Sequence, residues 1–311
     1  MDKPMLAPAL LAELHVQDSR HWTRLAVFAG LYLAAVTGAC LLAAALDDLR
    51  AALILGLPLY VIAGASLHGM SLFTHEGVHG TLSRHPGINR AVSVLCALPV
   101  LQNFAAYRVL HLRHHNHLGQ PQDPDHYPNY TRWTWLQFTL YWGRLIIGYP
   151  VYITAIPILG FIEGSRTDRA WIALELGLLF VIVAAVLLSP LPWAVLLHAW
   201  LIPMMVINTL VNIRGMSQHT LLEHHTDPVL GTRSILTNPV TRFFMCNENY
   251  HLEHHLYPGV PWYHLHRLHQ MLRDELTAKG APFIPSYFDF VREFVVGSWR
   301  RSPLGKGDAS G

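Results

Sequence analysis

Residues 51–79 read AALILGLPLYVIAGASLHGMSLFTHEGVH. The apolar run from Ala51 to Phe73 is about the ~20 residues needed to cross a bilayer as a helix. It ends on His75-Glu76-Gly77-Val78-His79. The i, i+4 spacing puts the two imidazoles on one helix face. A spanning helix that delivers a histidine pair to one membrane surface sets the frame for the rest of the chain.

Working outward, residues 25–46 form an earlier apolar run, and the charged break Asp47-Asp48-Leu49-Arg50 separates it from the first. So short a break predicts an antiparallel hairpin of two spanning helices. Residues 170–188 and 193–213 repeat the pattern across Ser189-Pro190-Leu191-Pro192. Residues 88–106 are shorter and contain Pro99, Gln102 and Asn103, which predicts a re-entrant or interfacial segment. Residues 133–161 are rich in Trp and Tyr and carry Pro150 and Pro157, which suits a headgroup-level position. From Arg214 onward the chain is polar and reads as extramembrane. The expectation is an all-α integral membrane protein with about four transmembrane helices and a helical cap, a single domain over residues 1–311 with its core at about 50–270. The first twenty residues mix charged and short apolar stretches and do not read as a cleavable signal.

Composition agrees. Of 311 residues 52% are hydrophobic and 14% charged, against about 25% charged in a soluble domain. The formal net charge is +2, and basic residues are spread thinly, which excludes nucleic acid as a partner. Cys40, Cys96 and Cys246 are far apart in apolar surroundings and read as small buried hydrophobes. The turns at 47–50 and 189–192 carry one basic residue between them. Arg20, Arg24, Arg84, Arg90, Arg108, Arg113, Arg166, Arg169, Arg214 and Arg233 fall on the other side. The positive-inside rule makes that side cytosolic. Four crossings place both termini and the histidine clusters there.

The chain has 21 histidines against 22 Lys and Arg. His111-Leu112-Arg113-His114-His115 and His251-Leu252-Glu253-His254-His255 share one spacing, i, i+3, i+4, on one helix face. His219 follows the last apolar run. The nine, His75, His79, His111, His114, His115, His219, His251, His254 and His255, are too many for one ion, since a structural zinc takes four ligands. Two ions match the count, and imidazole suits iron, zinc and copper. Isolated His15, His21, His68 and His198 read as hydrogen-bonded core residues. His117, His126, His224 and His225 lie near the clusters in sequence, the last two with a supporting or surface role. His264, His266 and His269 follow Pro258 and Pro261 and predict an interfacial helix. Asp123, Asp125, Glu76 and Glu253 are candidates to orient the imidazoles, or else caps and solvated groups. Glu175 is the main ionisable residue inside the four expected spans.

The three clusters resemble the histidine boxes of the membrane fatty acid desaturase superfamily, which also includes carotenoid hydroxylases and ketolases. Gln122-Asp123-Pro124-Asp125 is similar to the family's Asp-Pro-Asp segment, and Asn249-Tyr250-His251 through Tyr257-Pro258-Gly259-Val260-Pro261 resembles its third-box segment. The resemblance implies a cytosolic cap with a di-iron centre, and it implies that His219 fills the ligand position between the second and third boxes. In the acyl-CoA branch an Asn four residues before that His helps order a metal-bound water. Here that position is Gly215, with Asn212, Asn247 and Asn249 as possible substitutes.

The reaction this implies is oxygen-dependent attack on a lipid C–H bond by two Fe ions, with O2 as co-substrate. Fatty acyl desaturation leads, and carotenoid hydroxylation or ketolation stands second. A non-catalytic membrane metal-binding or transport protein stands third, disfavoured because the candidate ligands gather at one surface. His85-Pro86-Gly87 resembles a cytochrome b5 haem motif but reads as a turn. There is no Gly-x-Gly-x-x-Gly fingerprint. Electrons are therefore expected from a separate reductase and a ferredoxin or cytochrome b5-like carrier, docking near Arg84, Arg113, Arg214, Arg233, Arg242 and Arg267.

Overall fold

The computed structural model describes residues 6, 8–14, 16–126, 130–222 and 225–300. His15 and His224 lie outside them. Fourteen α-helices and one two-residue parallel strand pair are present among the described residues. The chain divides into two compact units, one comprising Val16–Val109 and Tyr149–Val211, the other Met1–His15, Leu110–Gly148 and Asn212–Gly311.

The first of these units is built from long apolar helices. α2 (Asp18–Ala45) and α3 (Leu49–Val78) form the expected hairpin, and Asp48 caps α3 by accepting from Arg50 N at 2.9 Å. Small residues allow close approach: a Cβ on Gly69 would sit 2.5 Å from the Phe28 ring of α2. α4 (Pro86–Ala97) continues through a 3-10 turn (Leu98–Val100) and meets α5 (Phe104–His117) at a bend of 104°, with Leu101 in the left-handed region at φ 58. A helix pair bent this sharply is either a broken span or the expected re-entrant segment. α7 (Arg166–Leu188) follows, then α8 (Trp193–Leu196), a π turn (Leu197–Leu201) and α9 (Ile202–His219). On α7 only Ile172 and Glu175 are buried, while Phe180 is 74% and Leu188 86% exposed. Apolar side chains so exposed along a whole helix are covered by lipid. Leu67, Val100, Tyr149 and Ile207 form a core in this unit, and the Tyr149 hydroxyl donates to Val100 O at 2.7 Å.

Among the described residues five helices are long and apolar enough to cross a membrane, against the four expected. The addition is α6 (Thr134–Glu163), expected as an aromatic segment interrupted by its prolines. The helix instead continues past Pro150 and Pro157, with one non-helical residue, Ile147 (φ −127, ψ 18). Pro150 cannot donate to the carbonyl four residues back, so the break falls one turn before it.

The second unit holds α1 (Pro8–Glu13), α10 (Pro228–Gly231), β1 (Ser234–Ile235), α11 (Pro239–Phe244), α12 (His251–Leu256), α13 (Trp262–Ala278), β2 (Phe283–Ile284) and α14 (Tyr287–Arg300). α13 buries Leu265, Leu268, Leu272 and Leu276 in a core with Leu252 and Leu256 of α12. This spacing of three and four residues gives an amphipathic helix. The expected helix around His264 and His269 is therefore present, but both histidines are buried in protein. α14 closes a second core through Phe290 and Phe294, against Met216 and Ile235.

Candidate metal centre

Seven of the nine candidate histidines lie in the second unit. His111, His114 and His115 occupy the last turns of α5, His219 ends α9, and His251, His254 and His255 are carried by α12. Their Nε2 atoms converge. His114 and His219 are 3.2 Å apart, His219 and His251 3.1 Å, and His251 and His255 3.1 Å. The Nε2 atoms of His111 and His115 are 3.0 Å apart, and those of His115 and His254 3.2 Å. His75, on the last turn of α3, and His79, its C-cap, sit together in the other unit, ring centroids 5.0 Å apart. There Asn89 of α4 donates to Gly77 O at 2.8 Å, and Thr81 donates to the Glu76 carboxylate at 2.8 Å, which fixes the turn.

The opposite edges of the rings are tied outward. His219 Nδ1 lies 2.9 Å from Gly231 O, and His114 Nδ1 lies 2.8 Å from Asp123 Oδ1. A carbonyl can only accept, so His219 carries its proton on Nδ1. Asp123 also accepts from Gly119 N and Asp125 N at 3.0 and 2.9 Å. Burial would raise its pKa, but the His114 hydrogen bond and charge and these N–H groups hold it below the ordinary carboxylate range. An ionised Asp123 places the His114 proton on Nδ1 as well. When both rings are neutral, two Nε2 lone pairs face each other at 3.2 Å. Against burial, the Asp123 hydrogen bond and the charges of Asp125 and Asp123 raise the His114 pKa, so the site favours positive charge at this ring. A cation reconciles that arrangement, and histidine ligands that donate their other N–H to carboxylates or carbonyls are the usual pattern. Burial, and then the surrounding His115, His251, His219 and His114, push the His255 pKa well below its ordinary value. The neutral imidazole is the form that binds metal.

Other expectations resolve differently. Asp125 stands 3.8 Å from His114 Nδ1, behind Asp123. Glu253, fully buried, orients no box histidine: it pairs with His269 of α13 and accepts from Ser234. Ser234 in turn accepts from Leu252 N at the start of α12. His126 and His225, with His114, Asp123, Asp125 and His219, line a cavity of about 20 Å³, room for one water. At Gly215 a Cβ would lie 2.9 Å from Arg144 Nη2, so a guanidinium occupies the space an Asn side chain would need. Asn247 and Asn249 donate to Trp262 O and Ile235 O instead.

Three of the expected docking arginines are engaged inside the unit. Arg233 is 1% exposed and donates to Ser217 O and Thr220 O, beside His219. Arg214 lies 3.7 Å from buried Glu248, and Arg242 donates to Tyr250 Oη. Arg233 is buried and the other two are partly so, because the carbonyls and carboxylates they need lie inside. Arg84 and Arg267 are exposed and Arg113 partly so.

Asp123→Asn is expected to lower metal affinity or turnover about 10–100-fold, the usual cost of removing an outer partner of a ligand. A metal titration showing wild-type affinity would remove Asp123 from this role.

The fatty acid desaturase family model matches residues 51–287. The chain is 27% identical over 259 residues to the dihydrorhizobitoxine desaturase of Bradyrhizobium elkanii, covering 71% of this chain and 69% of that protein. It is 25% identical over 256 residues to the sn-1 oleoyl-lipid 12-desaturase of Picosynechococcus sp., covering 70% and 69%. To the sn-1 oleoyl-lipid 12-desaturase of Arthrospira platensis it is 22% identical over 228 residues, covering 66% and 65%.

Proposed function

This chain belongs to the fatty acid desaturase family, and we propose that it is a di-iron enzyme that uses oxygen to desaturate the acyl chain of a membrane lipid. The observation that carries the reading is the convergence of the Nε2 atoms of His114, His219, His251 and His255, with the Nδ1 edges of His114 and His219 anchored outward. The proposed ligand set is all nine histidines, with His75 and His79 entering it through the resemblance of the boxes. Iron there would supply oxygen activation strong enough to break an unactivated C–H bond, which no side chain can do alone. The chain's own part is to converge the imidazoles, fix the rotation of His114 and His219 through Asp123 and the Gly231 carbonyl, and present an apolar, lipid-facing surface to the substrate. Two of the three relatives above are named for an oleoyl lipid, which supports an acyl chain over a carotenoid.

Lipid and carotenoid profiling of a host expressing the chain tests this against a His254→Ala control. A new double bond in an acyl chain is expected. An oxygenated carotenoid with unchanged acyl chains would favour hydroxylation or ketolation.

We further propose four crossings, with both termini and all boxes cytosolic. His114 and His219 lie 3.2 Å apart, so the chain between them crosses an even number of times. α7 and the α8–α9 run supply two crossings, which leaves α6 entering and leaving on one side. The distribution of basic residues supports the cytosolic assignment. Cysteine labelling is expected to find Asp48→Cys external and Gln270→Cys cytosolic, and the reverse pattern would overturn this topology.

A further inference from the structure

Glu175 lies in the middle of a helix otherwise given over to lipid. An ionisable side chain at such a place is costly, which points to a task. Ile172 and Glu175 are the only buried residues of α7, and both act at the start of α5. A helix that begins inside the apolar layer has N–H groups with no intrahelical partner and no water to take them. Here the orphan groups are accounted for one by one. Glu175 Oε2 accepts from Ala105 N at 2.9 Å, and the carboxylate also accepts from Phe104 N. Asn103 Oδ1 accepts from Ala106 N at 2.8 Å, and Asn103 O accepts from Tyr107 N at 3.0 Å. The Asn103 amide donates to Ile172 O at 3.1 Å, tying the same junction to α7. A carboxylate at this end also complements the helix dipole.

We propose that Glu175 is a positioning residue for the second histidine box: it caps the buried N-terminus of α5 from α7 and so fixes the depth and rotation of the helix that carries His111, His114 and His115. Those histidines begin about two turns further along the same helix. An uncapped first turn would unwind, and the histidines would lose their rotational setting. The competing explanation is charge balance. Arg90 lies 3.8 Å from Glu175 Oε1, and its guanidinium stacks 3.8 Å from the Trp171 ring centroid. On that account Glu175 would exist only to neutralise Arg90.

The role rests on the second box holding metal, so the test reads the cap and the metal separately. The full chain is purified into lipid nanodiscs as Glu175→Leu, Glu175→Gln and Arg90→Met. Hydrogen exchange at the Ala105 and Ala106 amides, bound iron per chain and turnover are measured on each. Glu175→Leu should speed exchange at these amides and lower both iron content and turnover about tenfold or more, since it strips buried donors of their acceptor. Glu175→Gln keeps an acceptor oxygen without the charge, and should stay within about twofold of wild type in all three readouts. Arg90→Met keeps the cap and should do the same. If Glu175→Leu leaves exchange and iron unchanged, the proposal is overturned. It is overturned equally if Glu175→Gln or Arg90→Met falls as far as Glu175→Leu, because the charge pair would then be what matters. Should Glu175→Leu not reach the membrane, the other two variants decide alone. A wild-type chain that binds no iron would sink the metal reading and leave the amide exchange rates to judge the cap.

Discussion

His254→Ala and His114→Ala are each expected to reduce product formation to background while the chain stays helical and inserted in the membrane. Both imidazoles are buried, and each Nε2 lies 3.2 Å from the Nε2 of a second histidine. Removing either takes away a donor atom. Loss of an outer partner costs about 10–100-fold, and loss of a ligand should exceed that by a wide margin. Far-ultraviolet circular dichroism and membrane fractionation establish that the chain is intact, and double bonds formed per chain is the readout. A variant with full activity would strike that residue from the ligand set.

The second large effect concerns electrons. Formation of one double bond removes two electrons from the substrate, and reduction of oxygen to water takes four, so two come from outside. The 311 residues contain no dinucleotide fingerprint, and their three cysteines are too scattered for an iron–sulfur set. Purified chain given NADH and oxygen alone should therefore be inert. Adding a reductase with a ferredoxin or cytochrome b5-like carrier should start turnover. Such carriers are commonly acidic, and complementary charge speeds encounter. Arg84 and Arg267 are the docking candidates that the structure leaves exposed, with Arg113 partly so, as are Arg214 and Arg242. Turnover should fall as salt rises, since screening shortens the reach of these charges to about 10 Å at 0.1 M. Sustained product from NADH and oxygen alone would mean the chain carries its own route for electrons.

The contrast between what could and could not be read in advance has a physical basis. The α2–α3 hairpin, α7 and the box spacings were legible because hydropathy and helical periodicity are local properties of a sequence. The break at 101–103 was legible from Pro99, Gln102 and Asn103 for the same reason. Asp123 could be nominated from its place after the second box. The Gly231 carbonyl that orients His219 could not, because a backbone acceptor has no side-chain signature. Arg233 reads in the sequence as a surface cation, yet it is buried against carbonyls that tertiary folding brings to it. The Ser234–Glu253–His269 chain joins three elements distant in sequence. The extent of α6 is legible in the sequence but its continuity is not: two prolines read as interruptions, whereas the apolar helix continues through them.

The central claim, that these histidines hold two irons, is tested most directly by metal analysis of the purified full chain after anaerobic loading with ferrous iron. The account predicts about two irons per chain, with the count falling in His114→Ala and His254→Ala. Zinc in place of iron after that loading, with no oxygen uptake under reduction, would contradict it.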